Sequence, residues 1–159
     1  LSGVPVGDGS QISVEGTPVR DLAEVFRFDV TTDWILRRWP RVSTGLAQLQ
    51  LQGYRVPLVT GTGEADLAGS LTYYFNARQK VQRITFCGTT GDARQLVALL
   101  TNRHQFTRRL TNSPGLFVYA VVSPAGRPQG VLKIQSAQIV KASEPYRRFD
   151  VDLIIERPS

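Results

Sequence analysis

Few side chains in this chain could do covalent chemistry. There is one cysteine, Cys87, and one histidine, His104, and 17 residues separate them in sequence. A cysteine nucleophile needs an exposed electropositive setting and a base beside it. Cys87 instead closes a strand-like apolar run, which predicts a small buried thiol. Glu64 and Asp66 stand two apart in a loop, a spacing that could serve acid–base work or hold a hard cation. An enzyme would have to gather polar groups distant in sequence, such as Asp66, Arg83 and His104, into one pocket. Thr60-Gly-Thr-Gly-Glu64 lacks both the third glycine of a dinucleotide fingerprint and the Gly-Lys-Ser/Thr of a phosphate loop, so it reads as a hairpin connection. With no metal-ligand cluster and no nucleophile elbow, neither a cofactor nor a catalytic residue is expected.

Binding chemistry is better represented. Trp34 and Trp39 interleave with Arg37, Arg38 and Arg41, a composition that could stack bases or lie at a lipid headgroup boundary. The plainer expectation is that the rings dock a short helix on a sheet. Five residues correspond to about 500° of helix, so the two rings should leave different faces, with at least one exposed or in contact with a neighbouring element. Tyr73, Tyr74 and Phe75 with Arg78, Lys80 and Arg83 form a second aromatic-basic group. Adjacent tyrosines on a strand face opposite ways, so one is expected in the core and Tyr74 at a surface. The candidate ligand or partner surface is thus Trp34, Arg37, Arg38, Trp39, Arg41, Tyr74, Arg78 and Arg83. The aromatic pattern and strand order of RNA-recognition modules are absent. The formal charge of +6 comes from 16 arginines and 3 lysines scattered over the chain. It admits an anionic polymer, a nucleic acid, an acidic glycan or a lipid headgroup, as partner.

The elements that must position these groups follow from period and punctuation. Residues 1–16 read as an extended arm and residues 17–159 as one domain, long enough to bury a core without disulfides. Thr17-Pro18 predicts a helix start, with Val19, Leu22, Ala23 and Phe26 as its apolar stripe. A second helix follows Thr31 or Thr32 and stops by Pro40. Leu49 and Leu51 alternate with glutamines as a strand, and Pro57 places the next run at an edge or bulge. Strands over Leu67–Phe75 and Val81–Cys87 flank a polar turn. The period then changes to that of a helix near residues 91–103, with Thr89 and Asp92 as its capping box. Phe106–Thr111, Leu116–Val122, Val131–Val140 and Phe149–Glu156 read as strands, and the continuously apolar Leu116–Val122 as a central strand covered on both faces. The fold class is α+β: a curved antiparallel sheet of six to eight strands, the main helix on one face, two short N-terminal helices at an end.

The stretches RWPRVSTGL, RVPLVTGT and LTYYFNARQKVQRITFCGTTGD resemble an uncharacterised bacterial family of unknown function, over most of residues 31–110. That resemblance implies no activity and no catalytic residue; it implies a bacterial, envelope-associated protein. The chain carries no methionine and begins Leu-Ser-Gly, so it is expected to be a piece of a longer protein. No apolar run approaches the roughly 18 residues of a transmembrane helix. The expected role is a non-catalytic binding or assembly module with a protein partner or a second copy of itself, exposed strand edges offering strand addition. The alternatives are a binder of an anionic ligand or polymer and an enzyme of unknown class.

Overall fold

A computed structural model describes residues 17–137 and 148–158; the proposed arm and residues 138–147 lie outside them. The strands are β1 (Ser43–Gln48), β2 (Leu51–Val59), β3 (Leu67–Phe75), β4 (Val81–Thr90), β5 (Thr107–Arg109), β6 (Leu116–Val122), β7 (Pro128–Ser136) and β8 (Phe149–Glu156). The helices are α1 (Thr32–Arg38) and α2 (Arg94–His104), preceded by a 3-10 turn at Leu22–Glu24. All eight strands form one open antiparallel sheet in the order β1-β2-β3-β4-β8-β7-β6-β5. Two four-strand meanders therefore meet where β4 pairs with β8, Arg83 opposite Glu156 through Thr90 opposite Phe149.

The pleat sorts the side chains. Val56, Leu58, Leu71, Tyr73, Ile84, Phe86, Val151, Leu153, Ile155 and Leu132 face the helices and make the core, joined by Leu96 and Leu100 of α2. Cys87 sits between two inward positions and so faces the other way. It is exposed, which corrects the expected buried thiol. Gly69 and Gly88 are opposite one another on the core face. A Cβ on Gly88 would collide with the Ala68 carbonyl and the Phe86 ring. Only glycine lets the strands and that ring close together here.

Several local expectations are replaced by tertiary bonding. The helix from Thr17 does not form. The Val19 N–H donates to the Val59 carbonyl at 2.9 Å, so this segment runs extended along β2, and only the Asp21-capped turn remains. Leu49 does not sit in a strand with Leu51. It occupies a two-residue hairpin turn between β1 and β2 with φ +56 and is 86% exposed. For leucine that region costs about 1 kcal/mol. Pro57 lies in an interior strand, but beyond the last β1 partner at Arg55, where its missing N–H leaves no ladder bond unmade.

The capping box at Thr89 is also overturned. β4 runs on through Thr90, and α2 begins at Arg94 behind Ala93, which makes no side-chain cap bond. Asp92 Oδ1 instead accepts from the Arg94 N–H at 3.0 Å. β6 is second from an edge and half-buried along its length, not central and covered on both faces. The edge strand β5 is shorter than expected, and β7 ends at Ser136, so the rest of the expected Val131–Val140 strand lies beyond the described residues. By contrast, α1 starts on Thr31, whose hydroxyl accepts from the Trp34 N–H at 3.1 Å, and ends before Pro40 as expected.

The Gly69–Gly88 contact predicts that Gly88→Ala destabilises the domain by roughly 2 kcal/mol or more, the scale of an overpacked core. A lowered urea midpoint would show it; an unchanged midpoint would mean that the strands are not in this close contact.

Candidate functional site

The residues singled out from sequence do not converge. Helix α1 ends at Arg38, and Trp39 is extended (φ −121, ψ 135), as the residue before a proline is biased to be. The five-residue rotation therefore does not apply, and the rings meet edge to face with centroids 5.4 Å apart. Trp39 is buried, Trp34 is half-buried, and both pack near Tyr73. The Tyr73 hydroxyl donates to the Val25 carbonyl at 2.5 Å, and burial pushes its pKa up. Arg38 lies over Trp39, bonds Glu24 at 2.9 Å and donates to the Thr17 carbonyl, so it fastens the N-terminal segment. Arg37 and Arg41 are exposed.

Tyr74 and Arg83 pair across β3 and β4 on the face opposite the helices. Tyr74 covers Gly53, while Arg83 bonds Glu156 and Gln48, each at 2.6 Å. Arg78 is exposed in the Asn76–Lys80 turn. These are two structural clusters and a turn. Among the described residues arginines occur on α1, both sheet faces and both sheet ends, five of them in ion pairs with Asp29, Glu24, Glu156, Asp92 and Glu64. No single sheet face gathers them.

Asp66, Arg83 and His104 do not share a pocket. Asp66 bonds Thr60 and the Gly63 N–H in the β2–β3 loop, whereas Arg83 lies seven residues down β4 from Thr90, the partner of Leu67. That is about 23 Å of strand. His104 is on the helix side, its Nε2 3.2 Å from the Phe26 carbonyl. Among the described residues no group of three His, Cys, Asp or Glu side chains could hold a metal.

An apolar concave feature of the fold lies elsewhere. Eight strands span about 34 Å, and one helix with its side chains is about 10 Å wide. Among the described residues the N-terminal segment covers the β2–β4 side and α2 the middle, and none of them covers β6 and its neighbours. Along α2, Leu96 and Leu100 point into the core. The flanking stripe Arg94, Val97, Ala98 and Thr101 overlooks a cleft of about 450 Å³, with Phe117, Tyr119, Ile134 and Phe149 on its sheet side. At one mouth Arg94 binds Asp92 through Nε and Nη2, the latter at 2.6 Å. That bonding holds the Asp92 carboxyl below its ordinary range.

This cleft was missed from sequence because its lining spans residues 91–149 and depends on the β4–β8 junction. One signal was present: Leu116–Val122, an apolar strand beside the polar edge run. The free edges are guarded against strand addition. β1 carries a bulge between Ser43 and Leu46, with Gly45 at φ +78, and β5 is three residues long with two arginines.

Two reactive-group predictions follow from these positions. Cys87 should react with a thiol reagent in the native protein at nearly the rate of a free thiol; protection until denaturant is added would contradict its exposure. Burial lowers the His104 pKa from 6.5, the Phe26 carbonyl opposes it and Arg103 adds to it. The unfolded chain then binds the proton more readily, so stability should be full above about pH 6.5 and decline below it. His104→Gln should flatten that part of the melting-temperature profile; an unchanged profile would contradict this.

The family model described as a family of unknown function, DUF6690, matches residues 7–159, and the chain belongs to that family. No curated protein and no solved structure matches it. No helix among the described residues is long and apolar enough to cross a membrane.

Proposed function

We propose that this chain is a non-catalytic binding module that receives an apolar group of a protein partner in the cleft between α2 and β6–β8. The observation that carries the proposal is β6: seven consecutive apolar residues, the first six half-buried and Val122 exposed where full cover would be usual, beside a 450 Å³ hollow lined by Phe117, Tyr119, Ile134 and Phe149. That volume is in the range of ligand sites, and the composition, an apolar floor with a few polar groups at the rim, is typical of them. The bacterial envelope setting belongs to the same proposal and rests on the resemblance of the 31–110 stretches. The partner is taken to be another protein and not a second copy joined edge to edge, because both sheet edges are guarded.

An apolar dye that fluoresces on burial, anilinonaphthalene sulfonate, tests the site without knowledge of the partner. Saturable binding to the folded protein is expected. Ala98→Trp, which fills the hollow, should weaken it on the order of tenfold, about 1.4 kcal/mol. Arg55→Ala, on the other sheet face, should leave it unchanged. Equal dye binding by Ala98→Trp and the parent would place the apolar surface elsewhere.

A further inference from the structure

The register brings several connections to one end of the sheet. Gln48 opposite Leu51 puts the Leu49–Gln50 turn there, and Gln52 opposite Phe75 puts the Asn76–Lys80 turn beside it. Arg83 opposite Glu156 and Gly130 opposite Ile155 extend the same end to the turn that contains Arg127. The C-terminal turn of α2 arrives there too, since Arg103 and His104 line a hollow with Val122 and Glu156.

This end is basic. Arg78, Lys80, Arg103 and Arg127 are exposed; of the carboxylates at this end, Glu156 is bonded by Arg83, and Asp29, which shares a hollow with Lys80 and Arg157, is bonded by Arg27. Arg78 and Lys80 form no ion pair among the described residues. Glu64, Asp66 and Asp92 stand at the opposite end, where the Gly91 N–H meets the Glu64 carbonyl. At the tip of the basic end is Leu49, at φ +56 and 86% exposed. Glycine, asparagine or aspartate would fit that backbone with less strain and in water. A large aliphatic side chain is disfavoured there twice, by conformation and by exposure. Such unfavourable positions concentrate where a surface makes a contact.

We propose that this hairpin end docks on an anionic lipid surface, Leu49 entering between headgroups and Arg78 and Lys80 lying against lipid phosphates. An aliphatic tip flanked by cations matches a membrane interface, which offers an apolar layer beneath a layer of negative charge. A nucleic acid would give the charges a partner but leave Leu49 nothing to enter, and the tip presents no aromatic ring on which a base could stack. The surface is separate from the cleft, so the two proposals stand independently.

The test is flotation of the whole chain with vesicles of phosphatidylcholine containing about one third phosphatidylglycerol, against phosphatidylcholine alone. Partition into the anionic vesicles, weakening as salt is raised, is expected. Leu49→Asn should lose about fivefold or more of the partition while melting at the same or a higher temperature, because asparagine tolerates the left-handed backbone. Reversal of both charges, Arg78→Glu with Lys80→Glu, should cost about tenfold or more. Ala98→Trp should partition like the parent chain. No partition into anionic vesicles, equal partition into phosphatidylcholine alone, or full partition by Leu49→Asn would each overturn the proposal. So would retention of an RNA or an acidic peptide without vesicle binding.

Discussion

An eight-stranded antiparallel sheet has to hide one apolar face, and among the described residues the cover is small: a segment with one 3-10 turn, a seven-residue helix and an eleven-residue helix. The cover is spent where burial is deepest. Trp39, Ile35, Val25 and Phe26 close over β3 and β4, and Leu96 and Leu100 press onto the central core. The β5–β6–β7 side of the same face receives no further helix among the described residues. Burial of each large apolar side chain is worth about 1.5–3 kcal/mol, so half-exposed Phe117, Tyr119 and Val121 leave part of that gain unrealised. The cleft exists because the sheet is wider than its cover.

The core itself depends on a junction between distant parts of the chain. β4 and β8 are separated in sequence by α2 and the strands β5–β7, yet their pairing sets which residues face inward on every strand beyond them. A one-residue slip would turn Val151, Leu153 and Ile155 outward and Asp150, Asp152 and Ile154 inward. The two carboxylates make that slip costly. Around this frame the ion pairs add little, since most are at the surface, where such pairs contribute about 0–1 kcal/mol. Arg38 and Arg157 differ in kind. Arg38 bonds the Thr17 carbonyl, Arg157 bonds the carbonyls of Val81 and Phe28, and each holds a segment that makes no ladder there.

Elements whose causes are local were legible in the sequence. Phe149–Glu156 alternates strictly enough to assign its inner face residue by residue, with Ile154 as the one outward apolar side chain. Thr31 and Pro40 bracket α1. Where a distant partner decided the outcome, the sequence misled. Thr17-Pro18 looks like a helix start, but Val59 takes the Val19 N–H. Thr89 and Asp92 look like a capping box, but Leu67 draws Thr90 into the ladder. Leu116–Val122 shows how far periodicity reaches. A continuous apolar run shows that both faces tolerate burial and is silent about what covers them. Leu49 reads as a strand residue because it alternates with Leu51 among glutamines, and a leucine at a left-handed, exposed turn position is informative because that site disfavours it. The candidate surface was only partly legible: Trp34, Arg38, Trp39, Tyr74 and Arg83 are engaged in packing and pairing, Arg37, Arg41 and Arg78 are exposed, and the cleft is assembled from four separate parts of the chain.

The most direct test is to map where an apolar fragment such as indole binds, from amide and methyl NMR shifts during titration. Shifts concentrated at Val97, Ala98, Phe117, Tyr119, Ile134 and Phe149 are predicted. Shifts scattered over the surface, confined to the opposite sheet face, or absent at all accessible concentrations would contradict the account of an uncovered flank used for binding.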